Sequence, residues 1–572
     1  MARLDKKWLL ARTNSEYVDY LAKSLNVSQI LSQILINRDI KTPEKARSFF
    51  DSTVSLLADP YMLSGMDRAV ERINLAVQRS ETIFVHGDYD ADGTSATAIM
   101  IKTLQRLGLT TRYFIPSRFV HGYGFHAAAV DLAHESGCSL IVTVDCGVSS
   151  FEAVNKSLVY NIDVIITDHH KPAFDEHSVQ PVLPNAYSVI DPAIMPSDNP
   201  HSQLTGAGVA LMLSLALNRS DISNVVDLLD LAAIGTVADV APLIGENRLI
   251  VKDGIKVLSE GKRPGLKALF EVAASANKTI DVDLLSYTAI PRINAAGRMA
   301  DASEVVELFL TDSETDAKRI AGNLDALNFR RQRIEEGVFE SAINQIEIEG
   351  YDRAIVIYDE GWHEGVLGIV ASKLVDKFGV PAFVLNVKDT TAKGSARGIP
   401  GIDIHKALSQ CSQYLVQFGG HKQAAGLKLK LDMIPQFIIA LNEAIDRTSV
   451  DSTSQPMIMI DADCTIQDIN FKLLNELSML APFGYGNQEP FLGIRGLTAY
   501  SPKIVGKNHL KLKLGDKGVQ FDAIGFDLGD HLHMVSNTGR VDAVVTPTLN
   551  EFNGSKTLQL NVKALRKSPV LT

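Results

Sequence analysis

The sequence predicts an α/β protein: a parallel-sheet domain, a long connector helix, a smaller α/β domain and a C-terminal β-barrel. Three features carry that prediction. Between about residues 80 and 170, apolar runs such as Ile83–Val85, Leu140–Val144 and Asp163–Thr167 alternate with segments of helical spacing, the pattern of a parallel sheet buried on both faces. From 311 to 348 the chain is highly charged, and no Gly or Pro interrupts it between Leu324 and Glu336, which reads as one long helix with a solvated face. Past about 455, short alternating strands (His509–Leu514, Val519–Phe526, Val541–Pro547 and Thr557–Val562) separated by Gly and Asn turns read as a small barrel.

At 572 residues the chain is too long for one core, and three or four domains are expected. The boundaries read as 1–60 (a helical segment), 61–310, 311–348 (the connector), 349–452 and 453–572. A content of 46% hydrophobic and 22% charged residues is ordinary for a globular protein. The start, Met1-Ala-Arg-Leu-Asp-Lys-Lys-Trp8, has no apolar signal core, and no run approaches the ~18 apolar residues of a membrane span, so a cytoplasmic location is expected. Cys138, Cys146, Cys411 and Cys464 form no CxxC pair, which argues against a disulfide framework or a cysteine–zinc site. A net charge of −11 excludes whole-surface attraction to nucleic acid but leaves room for a local basic channel.

Taken in order, residues 1–60 carry helical spacing (Ser28 to Ile36) and an N-cap at Thr42 followed by Pro43. The strand at Ile83–Val85 then runs into His86-Gly-Asp88-Tyr-Asp90-Ala-Asp92-Gly93, and Thr94 to Leu107 keeps helical spacing. Three carboxylates within five residues repel one another and call for a cation. An EF-hand is excluded because Ile99 stands where the loop's twelfth-position Glu belongs. A second strand, Arg112–Ile115, stops at Pro116, and a helix from Phe125 to Ser136 stops at Gly137. Leu140–Val144 delivers Asp145-Cys-Gly147, and Asp163–Thr167 delivers Asp168-His169-His170. Parallel strands put their carboxyl ends on one edge, so three ends rich in Asp and His converge there. Asp239 closes an apolar helix-like run from Leu228. Gly206-Ala-Gly208 reads as a place of close helix packing.

These motifs (His-x-Gly-Asp-x-Asp-Ala-Asp-Gly, Asp-Cys-Gly, Asp-His-His and Ala-Asp-x-Ala-Pro) resemble those of the DHH phosphoesterase superfamily. The resemblance implies that His86, Asp90 and Asp92 bind metal, that Asp145 bridges two ions, and that His169 and Asp239 complete the second site. It places His170 against the substrate phosphate and gives Asp88 and Asp168 orienting roles. Two divalent ions can clamp a phosphodiester, and aspartate with imidazole suits Mn²⁺ or Mg²⁺.

Farther on, Arg292, Asn294 and Arg298 in Pro291-Arg-Ile-Asn-Ala-Ala-Gly-Arg298, and Arg118 in a Gly-punctuated loop, are of a type to grip phosphate. Ala354–Tyr358 opens a new α/β unit. His363-Glu364 does not start a zinc-protease HExxH, because Leu367 stands in place of the second His. Lys393-Gly-Ser395-Ala-Arg397-Gly398 and Gly419-Gly-His421-Lys-Gln-Ala-Ala-Gly426 resemble the paired motifs of the DHHA1 domain. That implies Ser395 and Arg397 on a 5′-terminal phosphate and His421 reaching toward the metals. The tail past 455 carries twelve Lys and Arg against eleven Asp and Glu, and Lys511 and Lys513 share a strand face, as in an OB-fold that tracks single-stranded nucleic acid.

The order of motifs is that of the superfamily's exonucleases. It implies 5′→3′ digestion of single-stranded DNA to 5′-mononucleotides in DNA repair and recombination, with a single-strand-binding protein and a helicase as partners. Short-oligonucleotide and cyclic-dinucleotide phosphodiesterases of the superfamily lack such a tail. A scaffold that has lost its metals is opposed by the filled ligand positions.

Overall fold

The computed structural model describes residues 7–569 apart from 12, 175–179, 277, 449–456, 538 and 553–554. The boundary expected at 452–453 lies outside the described residues. The chain forms two compact units: Ala58–Asp239 with Gly254–Thr453, and Met1–Leu57 with Val240–Asp253 and Ser454–Thr572.

The first unit holds two sheets. One has five strands in the order Thr110–Phe114, Thr82–His86, Leu140–Val144, Asp163–Thr167, Ser188–Ile190, all parallel. Leu140–Val144 lies at the centre and is buried throughout, which is why its sequence is apolar without alternation. Helix Ala91–Arg106 is buried along most of its length, as are Gly206–Leu217 and Leu229–Ala238, which are apolar on nearly every side. The first of these begins three residues ahead of the expected Thr94. Asp90 caps it by accepting the amides of Asp92 (2.9 Å) and Gly93 (3.0 Å), so the acidic loop is already the helix's first turn.

The connector is a single helix, Glu314–Glu349, of 36 residues, about 54 Å long at 1.5 Å per residue. It buries a stripe that includes Leu324, Asn328, Val338, Ala342 and Ile346. Beyond it lies a five-stranded mixed sheet in the order Leu415–Gly420, Ala424–Lys430, Thr391–Arg397, Ala382–Lys388, Ile355–Asp359. Its register sets Ser395 opposite Gly426 and Arg397 opposite Ala424, so the two small-residue motifs run side by side.

In the second unit the strands Leu492–Val505, His509–Asp516, Val519–Gly525, Ser555–Lys567 and Val541–Phe552 close into a barrel, the last pairing back with the first. Leu492–Val505 was not among the expected strands. Its register slips between Ile494 and Leu497 and again between Tyr500 and Lys503, and those irregularities hide the two-residue period while letting the strand bend. Lys511 and Lys513 point outward between buried Leu510, Leu512 and Leu514. The helices Ser15–Leu25, Gln29–Asn37 and Pro43–Phe50 share this core, with Leu21, Leu31 and Leu35 in the same cluster as Leu477, Leu492 and Leu512. Thr42 caps the third of them through Lys45 N–H, as Thr42-Pro43 implied.

At the far edge of the parallel sheet, the Arg72 side chain is 3% exposed and spans Asp163 (2.5 Å) and Glu81 (2.8 Å), with Ser139 Oγ donating to Glu81 (2.6 Å). Arg72→Ala leaves the half-buried Glu81 with the Ser139 hydroxyl and, in place of a close cation, Arg79 at 3.6 Å. It is expected to destabilise this unit by about 3 kcal/mol, read as a lowered unfolding midpoint; an unchanged midpoint contradicts the assignment.

Candidate active site

The carboxyl edge of the parallel sheet gathers the expected donors. Three groups have ligand atoms within 4.8 Å of one another: Asp88, Asp90 and Asp145; Asp92, His169 and Asp239; Asp145, His169 and His170. His169 Nε2 lies 3.0 Å from Asp145 Oδ1 and 3.7 Å from Asp92 Oδ2, while its Nδ1 is 3.9 Å from Asp239 Oδ2. Asp145 thus stands between the Asp88–Asp90 pair and the His169 group. His86 is in none of the groups. Its ring packs on Phe125 and Phe114, its Nδ1 lies 3.5 Å from Cys146 Sγ, and burial first, then His126, pushes it down to about 3, so it is neutral. The other ring nitrogen, Nε2, is buried with no hydrogen-bond partner, while Asp88, given an orienting role by the resemblance, groups with Asp90 and Asp145.

The electrostatics of the edge ask for cations. Burial foremost, then neighbouring carboxylates, raises Asp88 and Asp145 well above the usual carboxylate range. Burial also raises Asp92 against the pull of His169, and burial with Asp92 pushes Asp239 up to about 6. Asp88 Oδ1 and Asp145 Oδ1 are buried with no hydrogen-bond donor, the His169–Asp145 contact lacking hydrogen-bond alignment. Crowded oxygen donors with imidazole nitrogen alongside fit Mn²⁺ or Mg²⁺. Asp145 also sits in the left-handed region (φ 62°), held there by its amide's bond to Thr167 O at 2.9 Å. Such a conformation persists in a non-glycine residue only where its surroundings fix it.

Backbone groups aim these carboxylates. Asp92 accepts Gly206 N–H at 2.7 Å and Ala207 N–H at 2.9 Å, the first amides of a helix whose N-terminus favours negative charge. A Cβ on Gly206 would lie 2.5 Å from Asp145 Cβ, and one on Gly235 would overlap Asp92 Oδ1. Gly206-Ala-Gly208, read from sequence as packing, therefore serves the site, and Gly235 went unnoticed inside an apolar run. Asp168 accepts the amides of Val148 (2.9 Å), His169 (2.8 Å) and His170 (3.1 Å), and its Oδ1 is 2.8 Å from His170 Nδ1. Burial opposes the charge on His170, yet Asp168 lifts it to about 9. The Tyr123 hydroxyl, also missed, lies 2.8 Å from the same nitrogen.

The arginines divide. Arg118 lies over the Tyr89 ring at 4.2 Å with its Nε buried and unpartnered. Arg298 is pushed down to about 10 by burial and then by Arg118, and Arg397 is lowered by the same two causes. A Cβ on Gly368 would stand 2.9 Å from Arg397 Nη2 and 3.5 Å from Ser395 Oγ, which brings Ser395 into the group. Buried guanidiniums set close to one another are of a type to bind an anion. Arg292 instead bonds Asp325 and Thr288 O, both at 2.8 Å, and Asn294 Oδ1 accepts Ala91 N–H at 2.9 Å, fixing the acidic loop rather than facing the cleft. His421 shares a cavity of about 590 Å³ with His169, His170, Lys171, His405 and Lys422.

Gly206→Ala is expected to lower divalent-cation affinity at least about tenfold by displacing Asp145, and to lower the unfolding midpoint as well because the added methyl overlaps buried atoms; calorimetry showing wild-type affinity contradicts that role.

Fold and edge together define a phosphoesterase-type site, and comparison with known proteins specifies it. The DHH family N-terminal domain matches residues 82–236, the DHHA1 domain 352–447 and the RecJ OB domain 460–564. Single-stranded-DNA-specific exonuclease RecJ of Bacillus subtilis is 36% identical, spanning 97% of this chain and 70% of that protein. The Escherichia coli protein of the same name is 33% identical, spanning 93% of this chain and 94% of that protein. The crystal structure of RecJ in complex with Mn²⁺ from Thermus thermophilus superposes with a TM-score of 0.83 at 29% identity, covering 99% of this chain and 80% of that one. The chain belongs to the RecJ family.

Proposed function

We propose that this protein is a metal-dependent exonuclease that digests single-stranded DNA 5′→3′ to 5′-mononucleotides, in DNA repair and recombination. The observation that carries the reading is Asp145, shared between a carboxylate pair and a His169-centred group on one sheet edge. The relatives' name, single-stranded-DNA-specific exonuclease, and the Mn²⁺- and Mg²⁺-bound RecJ structures from Thermus thermophilus support it.

In this reading Asp88, Asp90 and Asp145 hold one ion, and Asp92, Asp145, His169 and Asp239 the other, Mn²⁺ or Mg²⁺. Bound there, two such ions supply an activated water and stabilise the leaving oxygen. The chain's own residues do the rest. Asp168 keeps His170 oriented and charged, so the imidazolium faces the scissile phosphate. Arg118, Arg298, Arg397 and Ser395 hold the strand's 5′-terminal phosphate. His421 approaches the scissile phosphate from the opposite wall. Lys511 and Lys513 on the barrel track the strand electrostatically. Single-stranded DNA is the substrate; a single-strand-binding protein and a helicase are the protein partners proposed, in the cytoplasm. Among the described residues no helix is long and apolar enough to cross a membrane.

A time course on 5′-phosphorylated single strands with Mn²⁺ is expected to release mononucleotides from the first points onward. Asp145→Ala is expected to stop hydrolysis while the chain stays folded; retained hydrolysis rejects the shared-ligand assignment. Arg397→Ala is expected to cut the preference for 5′-phosphate over 5′-hydroxyl ends by about tenfold or more, the worth of a charged hydrogen bond, and an unchanged preference rejects it. Metal binding also displaces protons from carboxylates whose pKa is raised. Asp239, at about 6, is half protonated near pH 6 and ionised at pH 8. Calorimetry in buffers of differing ionisation enthalpy is therefore expected to show proton release on Mn²⁺ binding that shrinks as pH rises from 6 to 8; release that grows instead contradicts this.

A further inference from the structure

The arginine cleft has a wall that neither metal binding nor phosphate binding uses. Phe119 follows Arg118 directly and is 41% exposed. Its ring meets the ring of His363 edge-on, with centroids 5.6 Å apart at 84°. His363 comes from the DHHA1-side α/β portion, and among the described residues this is the aromatic contact that joins that portion to the parallel-sheet portion. The imidazole is fixed from its own side: Nδ1 accepts the Gly365 amide at 3.1 Å, and the Gly365 carbonyl accepts Arg298 Nη1 at 3.2 Å. Each ring is therefore one chain link or two hydrogen bonds from a guanidinium of the cleft.

Contacts order these groups outward from the metal ligands. The Arg118 guanidinium lies over the ring of Tyr89, which stands between Asp88 and Asp90. The next side chain, Phe119, turns instead to His363, which Gly365 ties to Arg298. Burial, and next Arg330, lowers the His363 pKa, so the ring is neutral at physiological pH and presents an apolar edge to Phe119. A strand running past the arginines would have to press a charged phosphodiester against this apolar pair, which is costly without donors.

We propose that the Phe119–His363 pair is the end stop of the cleft: it closes the seam behind Arg118, Arg298 and Arg397, so that a strand enters only until its terminal phosphate meets the guanidiniums. The end stop rests on the nuclease reading above and assigns to these two side chains the confinement of cutting to the 5′ end. Strands whose 5′-phosphate is esterified to a bulky group are the substrates it excludes.

The test compares hydrolysis, with Mn²⁺, of a 5′-phosphorylated single strand and the same strand bearing a fluorescein linker on that phosphate, by wild type, Phe119→Ala and His363→Ala. Both variants are expected to raise the blocked-to-phosphorylated rate ratio at least about tenfold and to release fluorescein-labelled fragments from the blocked strand. His363→Phe, which keeps a ring edge against Phe119, is expected to keep the wild-type ratio. Phe119 is partly exposed, so its truncation leaves the core intact, and unfolding midpoints monitor both variants. An active wild type with the same ratio in both alanine variants overturns the end stop alone. A wild type inert toward both strands overturns the nuclease reading and the end stop with it.

Discussion

Mutual repulsion among buried carboxylates is the constraint around which this molecule is built. Asp88, Asp92 and Asp145 are each about 2% exposed and share one sheet edge. Two such charges 4 Å apart repel by about 4 kcal/mol at an effective dielectric of 20. The amides of Gly206 and Ala207 offset this for Asp92, at about 1.5–3 kcal/mol for each charged hydrogen bond. Asp88 Oδ1 and Asp145 Oδ1 have no donor at all, so backbone dipoles do not balance the edge and divalent cations are needed. The surrounding structure accepts strain for this purpose. Asp145 sits at positive φ, Gly206 and Gly235 are places where a Cβ would collide with the ligands, and Asn294 pins the start of the helix that carries Asp92.

From that edge the rest of the first unit follows as a gradient of charge. The carboxylates give way to His170, held charged by Asp168, then to Arg298 and Arg397, both lowered by burial first and then by the nearby Arg118. The Thr391–Arg397 strand contributes because its register places Ser395 and Arg397 against the small residues Gly426 and Ala424. Gly368 completes the wall, since any side chain there would press on Arg397. In the proposed reading, the carboxylate edge would hold the metal ions and the guanidinium cluster the terminal phosphate of a polyanionic strand.

Much of this was legible in the sequence. Period and composition showed the parallel strands, the Glu314–Glu349 connector and four of the barrel strands, because burial on two faces, solvation and outward lysines each leave a local imprint. The convergence of Asp90, Asp92, Asp145 and His169 was legible because parallel topology dictates where strand ends go, whereas Asp239, at the end of a helix, was given its place by the resemblance alone. What escaped depends on contacts with no sequence period. Leu492–Val505 hides its alternation behind register slips. The Gly206–Ala207 amides act on Asp92, 114 and 115 residues away. His86 turns Nδ1 toward Cys146 and packs its ring on two phenylalanines, contacts that leave no mark in the sequence. Arg292 carried the same sequence signal as Arg298, yet Asp325, far along the connector, claims it.

The shared role of Asp145 is tested most directly by anomalous diffraction at the manganese edge from crystals of this protein soaked in Mn²⁺. Two peaks are predicted, one among Asp88, Asp90 and Asp145 and the other among Asp92, Asp145, His169 and Asp239, both within bonding distance of the Asp145 carboxylate. A single peak, or two peaks with no ligand in common, would contradict the account.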